Sequence, residues 1–336
     1  MADARLLECI DRLAGVRVIV VGDLIADVFL YGQTKRVSRE APVMVLEYER
    51  ERVVLGGAAN AVANIRALGA VPVPVGVVGA DVWGRAVVEK FHEMDIATDG
   101  VVEDASRETT SKLRVVGSSI HTTYQQMIRI DRGEHRDVGR AVEERLQQIL
   151  DRYTRSTDVI IASDYSYGTL STGVIARLND AAARGARVMV DSRYRVSSFK
   201  SAHTLTPNEP EAQEATGLAL VDDDEVRDAA KILRKTTTAA NVLITRGRRG
   251  MALFAADGGE HFFPIFGGDE VADVTGAGDT VIATYACAIA AGIDPEPAAR
   301  LANVAGGLVV MKHGTATVTA AEMRAALERE HAWDAS

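Results

Sequence analysis

Short apolar runs that alternate with helical patterns constrain the fold of this chain more than any other feature. The first run, Val16–Gly22, is continuously apolar and ends in glycine, which is typical of a strand buried on both faces of a parallel sheet. Similar runs at Ala186–Val190 and Asn241–Thr245 each follow a helical pattern. Strands joined by helices in this way form right-handed crossovers, so the alternation predicts an α/β fold with a mainly parallel sheet covered on both faces.

The segment after the first run departs from this pattern. Asp27–Tyr31 and Pro42–Tyr48 are short extended stretches separated by GQTKRVSREA, which is too polar for a core element, and we expect them to form strands of a small flanking sheet. The chain shows no internal repeat and no linker. We therefore expect one domain over residues 1–336, with the flanking sheet inserted at about 24–50 and 110–131.

Composition excludes several classes of function. The 336 residues carry 38 Lys+Arg and 47 Asp+Glu, a formal net charge of −9, without a basic block, so nucleic acid is not expected as a partner. No segment reaches the roughly 18 apolar residues that span a bilayer, and no membrane partner is expected. Cys9 and Cys287 have neither disulfide nor metal-ligand spacing, which favours the reducing cytoplasm.

The most informative motif is DVTGAGDT, residues 273–280, which directly precedes the apolar helix pattern VIATYACAIAAG. Gly276, Ala277 and Gly278 leave backbone N–H groups uncovered at a helix N-terminus, where unpaired donors and the helix dipole favour an anion. Asp279 lies in the same turn and can accept the proton of an attacking hydroxyl, as phosphoryl transfer requires. The alternative is that the glycines only allow close packing and that Asp279 caps the helix.

A second glycine-led helix start lies near the other end of the chain, in GGAANAVANIRALG. Gly56 and Gly57 allow a ligand to approach closely, and the amide of Asn60 can bond a hydroxyl group. The common nucleotide motifs are missing from the sequence: neither a G-x-x-x-x-G-K-[ST] loop nor a strand followed by G-x-G-x-x-G and a helix occurs. A P-loop kinase and a dinucleotide-dependent oxidoreductase are therefore disfavoured.

These two motifs resemble, in the same order, the two signatures of the PfkB (ribokinase-like) carbohydrate kinases. Within that family the chain is most similar to the heptose 7-phosphate kinases, including the kinase half of the bifunctional ADP-heptose synthesis enzymes. The similarity runs from about Val16 to Val318 through the segments VVGDLIADVFLYGQTKRVSREAPV, KLRVV, QQMIRID, SDYSYG, LTPNEPE, ITRGRRGM and KHGTATV. It implies a ribokinase-like three-layer α/β/α fold with a mainly parallel central sheet and a small β-sheet lid.

The resemblance also implies an activity. It is the ATP-dependent phosphorylation of the anomeric O1 of D-glycero-D-manno-heptose 7-phosphate to the 1,7-bisphosphate, with Mg²⁺ as cofactor and K⁺ as in many members. We expect a homodimer formed through the lid and a separate nucleotidyltransferase for the later step. Tyr167 and Arg193 stand where the heptose kinases usually have lysine. The alternatives are therefore a PfkB-type kinase for ribose, fructose or fructose phosphate, or a sugar or nucleotide sensor without turnover.

The resemblance assigns a role to each matched position. The catalytic positions are the base Asp279 and the anion-hole residues Gly276, Ala277 and Gly278. The sugar positions are Asp23, Asp27, Gly56, Gly57 and Asn60, with Lys112, Gln125 and Arg129 on the lid strands. The nucleotide positions are Asn208, Glu211, Thr245, Gly247, Gly250 and Asn303. Asn208 and Glu211 would organise Mg²⁺ through water, and Asp273 and Thr275 fall where many members bind K⁺.

Two of these assignments have a simpler alternative in the sequence itself. Asn208 and Glu211 also fit a helix N-cap followed by a first-turn acid. Lys112, Gln125 and Arg129 also fit the surface of lid strands that have no contact with the substrate.

Overall fold

A computed structural model describes residues 2–119, 122–154, 159–267, 272–312 and 314–334. Its strands, in chain order, are β1 Arg17–Gly22, β2 Leu24–Val37, β3 Met44–Gly57, β4 Val71–Val78, β5 Val101–Glu103, β6 Ser111–Ser119, β7 Thr122–Arg132, β8 Val159–Asp164, β9 Arg187–Ser192, β10 Thr204–Leu205, β11 Asn241–Thr245, β12 Met251–Phe254 and β13 Glu260–Phe263. Its α-helices are α1 Ala2–Asp11, α2 Ala58–Ala67, α3 Val82–Glu93, α4 Arg140–Thr154, α5 Thr172–Ala183, α6 Glu209–Thr216, α7 Asp223–Thr237, α8 Ala277–Ala290, α9 Pro295–Val309 and α10 Ala320–Asp334.

The larger sheet has nine strands in the order β13-β12-β11-β10-β9-β8-β1-β4-β5. Strands β12 and β13 are antiparallel to their neighbours, and every other pairing in this sheet is parallel. The predicted mainly parallel sheet is therefore confirmed. Because the carboxyl ends of parallel strands meet at one edge, the loops after β1, β8, β9 and β11 are brought together there.

Both faces of this sheet are covered by helices. Successive residues of β1 enter different clusters: Val18 and Val20 pack with α1, α2, α8 and α9, whereas Ile19 and Val21 pack with α4, α5 and α7. A strand that is buried on both faces must be apolar at every position, which is why its sequence is a continuous run rather than an alternation. The result is the three-layer α/β/α arrangement that the sequence indicates. No helix in the described ranges is both long enough and apolar enough to cross a membrane.

The smaller sheet has four strands in the order β3-β2-β6-β7. Strand β2 pairs with β3 and β6, and the β2–β3 hairpin extends well beyond the predicted short strands. The segment GQTKRVSREA was predicted to separate two strands, but its first six residues continue β2 to Val37. The prediction was wrong there because polar residues are excluded only from core strands, and this part of β2 is largely exposed. Residues 120 and 121 of the predicted 110–131 insertion lie outside the described residues.

Candidate active site

The two glycine-led helix starts meet in space. Gly57 precedes α2 with φ 56°, and Gly276 precedes α8 with φ 79°, a conformation that favours glycine. Across this junction Asn60 Nδ2 donates a hydrogen bond to Asp279 Oδ2 at 2.9 Å, although the two residues are 219 positions apart. A Cβ on Gly276 would lie 2.5 Å from Asn60 Nδ2, so the glycine is needed for this approach.

Asp279 is a buried acid whose two carboxylate oxygens are both hydrogen bonded. Its residue is only 3% exposed, and its second oxygen, Oδ1, accepts a hydrogen bond from the Tyr165 hydroxyl at 2.9 Å. Burial raises the pKa of Asp279 to about 6, although the hydrogen bonds from Asn60 and Tyr165 oppose this shift. The carboxylate is therefore mostly ionised at neutral pH and is more basic than an exposed aspartate.

A second amide fixes the orientation of Asn60. Asn64 Nδ2 donates to the side-chain oxygen of Asn60 at 3.2 Å, and Thr280 Oγ1 donates to Asn64 Oδ1 at 3.1 Å. With its oxygen already used as an acceptor, Asn60 presents its NH₂ group to Asp279. Asn64 and Thr280 were not singled out from the sequence, because only the packing of α2 against α8 gives them this role.

Asp23 lies at the carboxyl end of β1, with its side chain turned to the loop after β8. Its carboxylate accepts hydrogen bonds from three backbone N–H groups, those of Tyr165 at 2.9 Å, Tyr167 at 3.0 Å and Thr169 at 3.1 Å. Burial raises the pKa of Asp23, and these amides oppose the shift. The contacts shape that loop, while the predicted contact of Asp23 with a sugar hydroxyl stays a prediction.

Asp27 lies near Asp279 and is held by two side chains. Arg114 Nη1 of β6 donates to Asp27 Oδ1 at 2.7 Å, and the Thr315 hydroxyl donates to Asp27 Oδ2 at 2.9 Å. Gly56 leaves room for this acid, since a Cβ there would lie 2.8 Å from Asp27 Oδ2. Arg114, which is buried at 7% exposure, was missed by sequence reasoning because nothing in KLRVV distinguishes a buried arginine from an exposed one.

The three predicted lid contacts have different surroundings. Lys112 Nζ lies 5.1 Å from the centre of the Tyr165 ring, and burial lowers the pKa of this lysine. Gln125 and Arg129 are exposed on β7, and Arg129 forms a 2.7 Å ion pair with Asp131. Only Lys112 of the three is thus brought beside the residues that contact Asp279.

A cavity of about 330 Å³ lies beside the N-terminus of α8. Its lining includes six residues predicted to bind nucleotide or phosphate: Thr245, Gly247, Gly250, Ala277, Gly278 and Asn303. Met251, Ile265 and Val281 add apolar wall, which suits a planar base next to donors that suit phosphates. Residues of DVTGAGDT and of TRGRRG, which forms the 3₁₀ turn Gly247–Arg249, therefore line the same cavity although the two motifs are distant in sequence.

Asn208 and Glu211 form the helix cap that was the alternative interpretation of their pattern. The Asn208 side chain accepts from the Glu211 amide at 2.9 Å, and Glu211 Oε2 accepts from the Asn208 amide at 3.0 Å. A β-bridge also joins Asn208 to Thr245, so this cap begins beside the cavity. The cap alone accounts for the N-x-x-E pattern, so no metal ion is needed to explain it. The Glu211 carboxylate nevertheless stays in the site.

Acidic groups converge between this cap and Asp279. Burial raises the pKa of Asp191 well above its usual range, and the charges of Glu211 and Asp279 raise it further, against the nearby Arg193. Such crowding of carboxylates fits a site that receives a cation. Within the described ranges, no group of three or more His, Cys, Asp or Glu side chains could hold a metal directly.

Asp273 and Thr275 lie in the turn that leads to Gly276. Asp273 Oδ1 accepts the Thr275 amide at 2.9 Å, and Oδ2 accepts the Gly314 amide at 3.1 Å. Burial alone would raise the pKa of Asp273, but these hydrogen bonds outweigh it and the pKa is lowered. The turn therefore keeps a negative charge next to the proposed anion hole.

Tyr167 and Arg193, which stand where lysines were expected, contact different aromatic residues. Tyr167 stacks on His135 with ring centres 4.5 Å apart. Arg193 lies over the Tyr165 ring at 5.3 Å from its centre. Tyr165 itself was part of the quoted SDYSYG segment but was not singled out, since no local pattern shows that its hydroxyl reaches an aspartate 114 residues away.

Comparison with known proteins shows the family of this chain. The family model described as pfkB family carbohydrate kinase matches residues 17–322. The chain is 38% identical over 332 residues to a protein named bifunctional protein HldE from Trichlorobacter lovleyi, covering 98% of this chain and 66% of that protein. It is 41% identical to a protein of the same name from Paramagnetospirillum magneticum, covering 97% of this chain and 66% of that protein. The chain thus spans about two thirds of the length of these relatives.

Solved structures show the same fold at low sequence identity. An Arabidopsis thaliana ribokinase complexed with ribose and ATP superposes with a TM-score of 0.72 at 21% identity, covering 94% of this chain and 99% of that chain. The phosphofructokinase-2 of Escherichia coli in complex with substrates and products superposes with a TM-score of 0.77 at 15% identity, covering 93% of this chain and 98% of that chain. The ribokinase-like fold predicted from the sequence is confirmed.

Proposed function

This chain belongs to the pfkB family of carbohydrate kinases, and we propose that it phosphorylates the anomeric O1 of D-glycero-D-manno-heptose 7-phosphate with ATP. The general activity, phosphoryl transfer to a sugar, follows from the family. The heptose is favoured because the segments that resemble heptose 7-phosphate kinases cover most of the chain, and because relatives named HldE match it at 38–42% identity.

One observation supports the proposed chemistry more than any other. Asp279 is held by Asn60 at the start of the helix whose first residues, Ala277 and Gly278, line the 330 Å³ cavity. A carboxylate with a pKa of about 6 therefore lies in the first turn of the helix whose N-terminus borders the cavity. The Ala277 amide, which the sequence predicts to be uncovered, already donates to the Val274 carbonyl oxygen at 3.2 Å. An in-line transfer needs a base for the acceptor hydroxyl and donors for the transferring phosphoryl group on neighbouring residues, as found here.

In the proposed reaction Asp279 orients the sugar O1 hydroxyl and accepts its proton. The bond from O1 to the γ-phosphorus forms as the bond from that phosphorus to the β–γ bridging oxygen breaks, which leaves ADP. The transition state for this transfer is loose, so the proton moves late and a base of moderate pKa is sufficient. The amides of Gly276 and Gly278 stabilise the charge on the transferring group, whereas the Ala277 amide, predicted to share this role, is used on the Val274 carbonyl oxygen.

The acidic groups beside the cavity are suited to bind the Mg²⁺ that ATP-dependent kinases use. Asn208 and Glu211 would hold Mg²⁺ through water, and the repulsion that raises the pKa of Asp191 is what a bound cation relieves. When bound, the ion neutralises charge on the β- and γ-phosphates. Asp273, whose lowered pKa keeps it ionised, and Thr275 would hold K⁺. Since the donor is ATP, we propose a cytoplasmic location.

We propose that the four-stranded sheet β3-β2-β6-β7 is a lid over the sugar. Its Asp27 and Lys112 lie near Asp279, so they are placed to contact hydroxyl and phosphate groups of the acceptor. A lid that excludes water prevents hydrolysis of ATP in place of transfer. Its outer strands expose Tyr48, Met127 and Ile128, the last at 54% exposure, and burial of such side chains favours a homodimer formed through the lids.

The test is ATP consumption against a panel of heptose 7-phosphate, ribose, fructose and fructose 6-phosphate, with ³¹P NMR to locate the new ester. We expect ADP release with the heptose 7-phosphate and a new anomeric phosphate signal. Turnover of fructose 6-phosphate alone would support the other kinase assignment. Binding of ATP and sugars without any ADP release would support a sensor and contradict a kinase.

A further inference from the structure

The loop after β8 contains one residue with a strained backbone and one glycine that close packing requires. Ser166 has φ 62°, a left-handed conformation that is uncommon for residues other than glycine. Gly168 has φ 90°, and a Cβ there would lie 1.8 Å from the Arg136 carbonyl oxygen. Strained backbone of this kind persists only where the surroundings hold it, and it is common at functional sites.

Asp23 accepts more backbone amides of this loop than any other side chain among the described residues, while Asp164 accepts the Ser166 amide at 3.1 Å and Arg107 donates to the Tyr167 carbonyl oxygen at 2.6 Å. The buried Asp23 carboxylate accepts the amides of Tyr165, Tyr167 and Thr169, which point inward to the same acid. Burying a carboxylate costs free energy unless hydrogen bonds compensate. The three amides that donate to buried Asp23 provide this compensation, and they fix the backbone conformation of the loop. The loop in turn fixes the position of the Tyr165 side chain.

Tyr165 connects three groups of the site. Its hydroxyl donates to Asp279 Oδ1 at 2.9 Å. Lys112 Nζ and Arg193 Cζ lie 5.1 Å and 5.3 Å from its ring centre, within the range of a cation–π contact. Lys112 is on the lid strand β6, whereas Arg193 follows β9 and faces the acidic groups Asp191 and Glu211.

We propose that Tyr165 is a positioning residue that aims the carboxylate of Asp279 at the acceptor hydroxyl, and that Asp23 serves this function by holding the Tyr165 loop. A single hydrogen bond from Asn60 would leave the carboxylate free to rotate about its Cβ–Cγ bond. Two donors, one on each oxygen, fix its plane and leave a lone pair on each oxygen for the substrate. The inference rests on the proposed function of Asp279 as the base.

The hydroxyl and the ring can be tested separately. Tyr165→Phe removes the hydrogen bond to Asp279 but keeps the ring beside Lys112 and Arg193. The side chains that face Asp279 are the hydrogen-bond donors Asn60 and Tyr165, the like charge of Asp27 and the opposite charge of Lys112, with Asp191 nearby. Because the tyrosine hydroxyl opposes the effect of burial, its loss raises the pKa of Asp279 further above about 6.

The experiment compares Tyr165→Phe with Tyr194→Phe, a matched change at a tyrosine that is 58% exposed. In Tyr165→Phe we expect kcat to fall about 10- to 100-fold, as for loss of a hydrogen bond to a charged group, with the KM for ATP unchanged. We also expect the acidic limb of the pH–rate profile to move to higher pH. Tyr194→Phe should match the unmodified protein in both measurements. Unmodified kcat and pH profile in Tyr165→Phe would overturn the inference.

A second readout separates this inference from the proposed function. Aspartate labelled with ¹³C at the carboxyl group, with Asp279→Asn to assign the signal, reports the ionisation of Asp279 in the ligand-free protein. We expect its titration to move to higher pH in Tyr165→Phe. If it moves but no sugar is phosphorylated, the contact is confirmed and the proposed function fails. If sugar is phosphorylated and neither kcat nor the titration changes, the function stands and the role of Tyr165 is wrong.

Discussion

The two sides of the candidate site, one for the acceptor and one for the nucleotide, differ in the kinds of residue that form them. The acceptor side is defined by two groups of hydrogen-bonded side chains, Asn60, Tyr165 and Asp279 in one and Asp27 and Arg114 in the other. The nucleotide side, the 330 Å³ cavity, is lined largely by glycines and apolar residues. In the proposed function, side chains therefore determine the chemistry and the choice of acceptor, whereas backbone groups and the shape of the cavity hold ATP. Substitutions on the two sides should then have different consequences.

The largest effect is expected for Asp279→Asn on the acceptor side. The amide can keep its oxygen toward Asn60, so the fold and ATP binding should persist, while kcat falls by about 10²–10⁴-fold as is usual for loss of a general base. Steady-state kinetics and ATP titration measure the two quantities. Asp228→Asn, at a surface acid paired with Lys231, is the control. Loss of ATP affinity in step with kcat would show that the two sides are not separate.

The next effect is on stability and concerns the buried ion pair between Arg114 of β6 and Asp27 of β2. Arg114→Met leaves a buried carboxylate without its partner, which should lower the free energy of unfolding by about 3–5 kcal/mol. Arg129→Met breaks an exposed ion pair with Asp131, both residues lying in β7, and should lower the free energy of unfolding by only about 0–1 kcal/mol. Urea unfolding monitored by circular dichroism checks both values. Equal losses would mean that the acceptor side is not held by its buried charges.

The smallest effect is expected on the nucleotide side. Asn303 Nδ2 donates to the Pro264 carbonyl oxygen at 2.7 Å and lines the cavity. Asn303→Ala should raise the KM for ATP about 5-fold, the value of one ordinary hydrogen bond, and leave kcat and the KM for the sugar unchanged. Asn179→Ala removes a similar bond to the Ser198 carbonyl oxygen and serves as the control. A fall in kcat in Asn303→Ala would remove the distinction between the two sides.

The central sheet could be predicted from the sequence because its strands are buried on both faces. Such strands must be apolar at each position, so Val16–Gly22 and Asn241–Thr245 stand out without any knowledge of their partners. The smaller sheet has no such signal. Its strand β2 is buried only near Leu24–Val28 and then runs into solvent, where polar residues are permitted, and its length is set by pairing with β3 and β6.

The same difference applies to the site. Asn60 and Asp279 could be found because each lies in a glycine-led helix start, a local pattern with a direct physical meaning. Arg114 and Tyr165 could not, since their roles depend on the register of β6 against β2 and on the loop that Asp23 holds. For Asn208 and Glu211 the sequence allowed a helix cap or a metal site, and the cap is visible in the contacts.

The most direct test is a crystal structure with heptose 7-phosphate and a non-hydrolysable ATP analogue bound together. Our account predicts that the sugar O1 lies within hydrogen-bond reach of an Asp279 carboxylate oxygen, about 2.6–3.2 Å, and in line with the γ-phosphorus. The phosphate chain should begin at the amide of Gly278, and the base should occupy the cavity beside Asn303. A sugar bound with O1 away from Asp279, or a nucleotide outside that cavity, would contradict the account.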